Sequence, residues 1–231
     1  MAIRVTNLIT PAVATNDVEI VERKGLGHPD TICDALAEQF SIALCRYYLD
    51  RFGLILHHNV DKVLLWGGIS QPVFGGGKVI KPMELFLAGR ATLALENISV
   101  PVEQLALDTC RSWLQDNFHA LDPEHDVKIH CLIHPGSTDL VDLYTRQHKT
   151  HLALANDTSC GVGYAPLSEL EQIVLAIEHA LNTPANKKNH PFIGEDIKVM
   201  GVRNGDSFRF TVSCALIDRY LTNQDAYWAA K

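Results

Sequence analysis

Gly25-Leu26-Gly27-His28-Pro29-Asp30, running straight into Thr31-Ile32-Cys33-Asp34-Ala35-Leu36, is the stretch on which the reading of the fold turns. Two glycines let a backbone come close to whatever faces it. A proline suits the first turn of a helix, where its missing N–H costs nothing. Beyond it, apolar residues return at Ile32, Leu36, Phe40, Leu44 and Tyr47, a helical stripe. Asp30 or Thr31 is the expected cap, and Gly53 sits where a helix-ending glycine belongs. A helix start of this kind offers free N–H groups and a positive dipole end to an anion. His28 adds a donor and Asp30 a metal ligand, so the turn could hold a metal-bound phosphate chain. On local grounds alone a glycine turn with a capping aspartate is the commoner case. The dinucleotide fingerprint is excluded, because Asp30 stands at the position of its third glycine.

Outward from this helix, Leu54 to His57 and Val63 to Trp66 read as strands, and Met83 to Leu95 as mostly strand. Gly67-Gly68 and Gly75-Gly76-Gly77 bracket a loop. A second helix is expected from Val102 to Ala120, with Leu105, Cys110, Trp113 and Leu114 on its buried face. Strands are expected at Val127 to Ile133 and Leu140 to Tyr144. A third helix begins at Leu167, with Ser168 and Glu171 spaced as a capping box and a stripe of Leu170, Val174, Ile177 and Leu181. Ile197 to Val202 and Phe208 to Leu216 read as a hairpin turned by Asn204-Gly205, the strongest short signal for one. The polar stretch Asn182 to His190 reads as loop. Groups of strands thus alternate with long helices, which predicts an α+β fold with helices on one face of antiparallel or mixed sheets.

Several other stretches carry polar chemistry. Gly75-Gly76-Gly77-Lys78 resembles part of a phosphate loop, but Pro72 and Val79 replace the first glycine and the Ser/Thr of that motif, so a surface hairpin is the commoner reading. Asn156-Asp157-Thr158-Ser159, leading into Gly161-Val162-Gly163, suits a ligand loop as well as it suits a plain connection. In Gly194-Glu195-Asp196-Ile197-Lys198, strand alternation puts Asp196 and Lys198 on one side, where a lysine could meet a phosphate; an exposed strand of alternating charge is the commoner case. His125, His130, Cys131 and His134 have no zinc spacing and read as chance, as does the His57-His58 pair.

A net charge of −7 argues against a nucleic-acid partner. No apolar run approaches membrane-span length. The six cysteines form no CxxC pair, which points to a reduced, cytoplasmic compartment rather than a disulfide framework.

The order of the motifs says more than any one of them. Val21-Glu22-Arg23-Lys24-Gly25-Leu26-Gly27-His28-Pro29-Asp30 resembles the opening signature of archaeal-type S-adenosylmethionine synthetases. So, in the same order, do Ile55-Leu56-His57-His58-Asn59, Phe74-Gly75-Gly76-Gly77, Leu87-Ala88-Gly89-Arg90-Ala91-Thr92, Gly136-Ser137-Thr138-Asp139-Leu140-Val141-Asp142, Leu154-Ala155-Asn156-Asp157-Thr158-Ser159 and Gly194-Glu195-Asp196-Ile197-Lys198-Val199-Met200-Gly201. The resemblance spans residues 18–222.

It implies related α/β units about a pseudo-threefold axis and a dimer with active sites at the subunit interface. It also implies a reaction, in which the methionine sulfur attacks C5′ of ATP and the displaced tripolyphosphate is hydrolysed to phosphate and pyrophosphate. Mg2+, and K+ in many members, would offset the phosphate charge. Carried over residue by residue, His28 would donate to the leaving oxygen or a phosphate, Lys198 would contact phosphate and Asp30 would bind magnesium. Asp157 and Asn156 would help hold substrate, and Gly25 and Gly27 would shape the turn.

Family members continue past the equivalent of Tyr220 into a segment with glycine-rich and basic stretches. This chain lacks them, and Val73 replaces the usual lysine before Phe-Gly-Gly-Gly. The expectation is therefore two of three units, divided as 1–125 and 126–231, with the third absent. The favoured reading is one subunit of a two-chain synthetase whose partner supplies the rest. The alternatives are a non-catalytic regulatory or structural subunit, or a small enzyme using the same ATP site for another reaction.

Overall fold

The computed structural model describes residues 3–7, 9–95, 97–136 and 160–231. The fold is α+β, with two three-stranded sheets that each carry helices on one face. The expected strand at Leu140 to Tyr144 lies outside the described residues.

The first layer is built on α1 (Pro29–Phe52) and α2 (Val102–Asn117). They pack on a sheet of order β2-β5-β8, where β2 is His58–Trp66, β5 is Met83–Ala91 and β8 is Val127–Pro135. β2 runs antiparallel to β5, and β8 parallel to it. The ridge that α1 buries is Ile32, Leu36, Phe40, Leu44 and Tyr48, five residues at successive i, i+4 steps. The stripe therefore continues to Tyr48, which is fully buried with its hydroxyl donating to the Thr92 carbonyl at 2.9 Å, and not to Tyr47. From α2, Val102, Ala106, Cys110 and Leu114 face the same core, opposite Leu85, Leu87 and Ala91 of the sheet. α1 ends at Gly53, whose φ of 72° is the left-handed conformation that lets the chain turn away. The segment Leu54 to His57, expected as a strand, is irregular, and pairing begins only at His58.

Between β2 and β5 the chain makes a small hairpin of β3 (Ile69–Gln71) and β4 (Lys78–Lys81), with the three glycines in its loop. A second short pair, β6 (Ala94–Leu95) and β7 (Ile98–Ser99), leads into α2.

The second layer is a fully antiparallel sheet of order β1-β9-β10, where β1 is Val18–Lys24, β9 is Ile193–Asn204 and β10 is Ser207–Leu216. The hairpin turns at Gly205, whose φ of 54° fits the Asn-Gly reading. α3 (Glu169–Asn182) packs on this sheet, and its capping box is fully formed: the Ser168 hydroxyl accepts from the Glu171 N–H, and Glu171 accepts from the Ser168 N–H. The stretch expected as loop after it folds into α4 (Pro184–Asn189), capped by Thr183. A short last helix, α5 (Gln224–Ala230), is capped by Asn223.

The two layers interleave along the chain. β1, at the start, belongs to the sheet of β9, while β8, just past residue 126, belongs to the sheet of β5. The chain crosses directly between layers at Gly25–His28, leaving β1 and entering α1. That crossing lets this turn bring groups from both layers together.

Candidate active site

His28 is the N-cap of α1: its backbone is extended and its Nδ1 accepts from the Asp30 N–H at 3.1 Å. The cap is therefore the histidine and not Asp30 or Thr31. The reason is local. With Nδ1 satisfying a helix-terminal N–H, the Asp30 carboxylate in the first turn is left free to reach outward.

The glycine turn is pressed against the start of β9. The Gly25 N–H donates to the Ile197 carbonyl at 2.7 Å and the Gly27 N–H to the Glu195 carbonyl at 2.9 Å. A Cβ on Gly27 would lie 2.4 Å from the Glu195 carbonyl carbon, and one on Gly25 would lie 2.8 Å from the Ile197 oxygen. Both glycines are thus required by close approach of backbone to backbone, whatever ligand they serve.

Strand register then places the charges. Lys24, at the end of β1, lies directly opposite Lys198 on β9. Both point to the face of the sheet that α3 does not cover, along with Glu22 and Asp196. The Lys24 ammonium donates to the Asp30 carboxylate. Lys198 Nζ lies 2.9 Å from Glu22. The hydrogen bond from Lys24, followed by its charge, holds the Asp30 carboxyl below its ordinary range, with smaller contributions from His28 and Lys198. The same contact with Asp30 raises Lys24. His28, Asp30, Lys24 and Lys198 therefore form one cluster.

The other face of the turn is braced by buried charge. Glu178 of α3, with a side chain only 4% exposed, takes Arg23 at 2.7 Å and the Asn182 amide at 2.8 Å. Burial pushes the Glu178 carboxyl up, but Arg23 and Asn182 outweigh it and the net direction is down. Glu195 is paired with His119, whose other ring nitrogen lies 2.8 Å from the Pro191 carbonyl. Lys187 of α4 is buried and donates to the Gly194 carbonyl at 2.6 Å. Burial pushes its ammonium below the ordinary lysine value, against the opposing pull of Glu195.

A cleft of about 510 Å³ runs beside the turn between the layers, from Gly27 and Pro29 past Asp196 to the glycine hairpin. That hairpin is not an open phosphate loop. Asp218 accepts from the Gly77 N–H at 2.8 Å and the Val73 N–H at 3.2 Å, so a carboxylate of this chain already occupies the place of an anion.

Of the residues expected from sequence, the structure brings together Gly25, Gly27, His28, Asp30 and Lys198. Asn156 and Asp157 lie outside the described residues. Lys24 and Glu178 were missed. Lys24 lay within the quoted signature, and only strand register shows it facing Lys198. No group of three or more His, Cys, Asp or Glu among the described residues is arranged to hold a metal ion. Asp30 nonetheless fits magnesium, which binds by one or two carboxylates and takes its remaining oxygens from substrate phosphates and water.

The sequence profile of the S-adenosylmethionine synthetase (AdoMet synthetase) family matches residues 1–231, and the chain belongs to that family. A probable S-adenosylmethionine synthase of Aquifex aeolicus is 54% identical over 98% of this chain and 57% of its own length. The S-adenosylmethionine synthase of Methanothermobacter thermautotrophicus is 49% identical over 93% of this chain and 53% of its own. This chain thus spans about half the length of the curated relatives it matches. Among solved structures, an S-adenosylmethionine synthetase of Campylobacter jejuni shares the fold. Its TM-score is 0.50 at 14% identity, over 92% of this chain and 52% of that one.

Proposed function

We propose that this chain carries the polyphosphate end of an S-adenosylmethionine synthetase site, in which the sulfur of methionine displaces tripolyphosphate from C5′ of ATP. The observation that supports it is the His28–Asp30–Lys24–Lys198 cluster at the start of α1. The reaction releases a polyanion, so what it needs are placed cations and N–H donors rather than a strong base. Here a helix N-terminus, an imidazole and two ammoniums meet on one exposed face. Magnesium on Asp30, with potassium as many members of the family use it, would neutralise further phosphate charge. His28 donates to the leaving oxygen or its phosphate, Lys198 holds phosphate, and Asn156 and Asp157 help bind the methionine or nucleoside.

The complementary part of the site comes from a second protein chain carrying the segment that this chain does not contain, within an oligomer. The uncovered sheet faces support such an interface. Leu64 and Trp66 on β2 and Ile20 on β1 are each more than 60% exposed, and Leu132 on β8 is 50% exposed. An apolar surface of this kind is what an obligate interface buries.

The test is chromatographic detection of S-adenosylmethionine from ATP and methionine, with this chain alone and with the second half of the Aquifex aeolicus relative added. Product only in the mixture supports the two-chain reading. Turnover of about 1–10³ per second by the chain alone would sink it. Stable assembly without product would favour the regulatory or structural alternative.

A further inference from the structure

Lys24 and Lys198 are direct cross-strand partners in an antiparallel pair, on the same face of the sheet. Like charges placed directly opposite one another destabilise a sheet unless something negative stands between them. In this structure each ammonium has turned to a carboxylate of β1 or α1: Lys24 to Asp30, Lys198 to Glu22. All four side chains are open to solvent, with Lys24 40% and Asp30 62% exposed, and Lys198 41% and Glu22 39%. Exposed ion pairs of this kind are weak, so opening them costs little. A polyphosphate offers each lysine a stronger, charge-assisted partner.

We propose that Lys24 is a phosphate-binding residue: with Lys198 it forms a two-lysine cradle for the polyphosphate, and Asp30 holds it in place until the anion arrives. The inference rests on the synthetase reading of the same site. Binding is then an exchange. Lys24 leaves Asp30 for a phosphate oxygen, Lys198 leaves Glu22 for another, and the carboxylate of Asp30 is released to the cation that accompanies the anion. Lys24 thus serves two states with one charge, and its pairing with Asp30 keeps the metal-ligating carboxylate occupied while the site is empty.

Calorimetric titration of the full chain with inorganic tripolyphosphate, with and without magnesium, tests the exchange. Lys24→Met keeps the stem and removes the charge, and affinity should fall about 10- to 100-fold, the range of one charge-assisted hydrogen bond. Lys24→Arg should stay within a few-fold of wild type. Asp30→Asn should bind metal-free tripolyphosphate more tightly than wild type, because Lys24 is already free, and should lose the gain that magnesium brings. In the Lys24→Met, Asp30→Asn double variant the metal-free gain should shrink to what lost repulsion alone supplies, whereas an ion pair with no phosphate role would leave the gain unchanged. Thermal midpoints should barely move in any of the three single variants, as expected for exposed pairs. If Lys24→Met binds like wild type while Lys198→Met is weakened, Lys24 is only a salt-bridge partner and the inference is overturned. If wild type and Lys198→Met bind alike or not at all, the synthetase reading of the site fails, and this inference with it.

Discussion

The two layers of the molecule are held together in opposite ways. Among the described residues, the first buries sixteen around α1 and α2 in one continuous core, nearly all of them apolar. The second has a described core of four, Leu170, Val174, Ile197 and Val199. Yet all four buried charged residues of the described chain, Glu19, Glu178, Lys187 and Glu195, lie in the second layer or at its edge. Each has a specific polar partner: Glu19 takes Arg203 and Ser168, Glu178 takes Arg23, Glu195 takes His119, and Lys187 donates to main-chain carbonyls. Apolar burial supplies stability without direction, whereas buried hydrogen-bonded charge fixes geometry and is costly when half removed. The site sits where the second kind of packing dominates. Its placement depends on a few polar contacts, and its foundation on the core beneath α1.

That contrast can be broken or sharpened by substitution. The largest effect on stability is expected from Phe40→Ala, at the centre of the first core, which should cost about 3–5 kcal/mol as a buried cavity does. Denaturant unfolding would measure it, and a loss under 1 kcal/mol would mean the first core is not the foundation. Glu178→Ala should cost less, about 1–3 kcal/mol, because the Arg23 it leaves behind is partly exposed. Its effect should be concentrated on the Gly25–His28 turn, seen as faster amide exchange there than in α1.

Glu178 also predicts a pH dependence. Its folded pKa lies below the ordinary 4.5. Its contribution is therefore fully present above that value and is lost as pH falls through the lower folded value. The Glu178→Gln protein should show a flatter stability profile than wild type below pH 4.5, and parallel profiles would contradict the pairing. Gly27→Ala should cost about 1–3 kcal/mol by overpacking against Glu195, with the turn displaced and α1 intact. The smallest effect is expected from Tyr48→Phe, about 0.5–1.5 kcal/mol for the hydrogen bond to Thr92, with no change at the site.

The same contrast explains what the sequence allowed to be read. Where packing is apolar, periodicity reported it: the stripe of α1, the helix α2 and the face of α3 follow from spacing alone. Local chemistry was also legible, as in the capping box at Ser168 and the turn at Gly205. The strand β1 was not, because its pattern is mixed. Glu19 is buried on the inner face beside Val21, while Ile20 is 65% exposed on the outer face with Glu22 and Lys24, so neither face of the strand is purely apolar. Polar α4 read as loop for a related reason, since its Lys187 is buried by donating to main-chain carbonyls and not by apolar contact. At the site, motif order supplied His28, Asp30 and Lys198. The capping role of His28 and the pairing of Lys24 with Lys198 depend on one hydrogen bond and one strand register, neither of which a single sequence encodes in its spacing.

The turn between the layers is proposed to carry the polyphosphate end of a synthetase site. The most direct test is S-adenosylmethionine formation by this chain assembled with the complementary half of a relative, comparing wild type with His28→Ala. The account predicts equal assembly by size-exclusion chromatography and at least about 10²-fold slower product formation in the variant, the cost of losing one well-placed donor to a developing anion. An assembled His28→Ala complex that turns over as fast as wild type would contradict it.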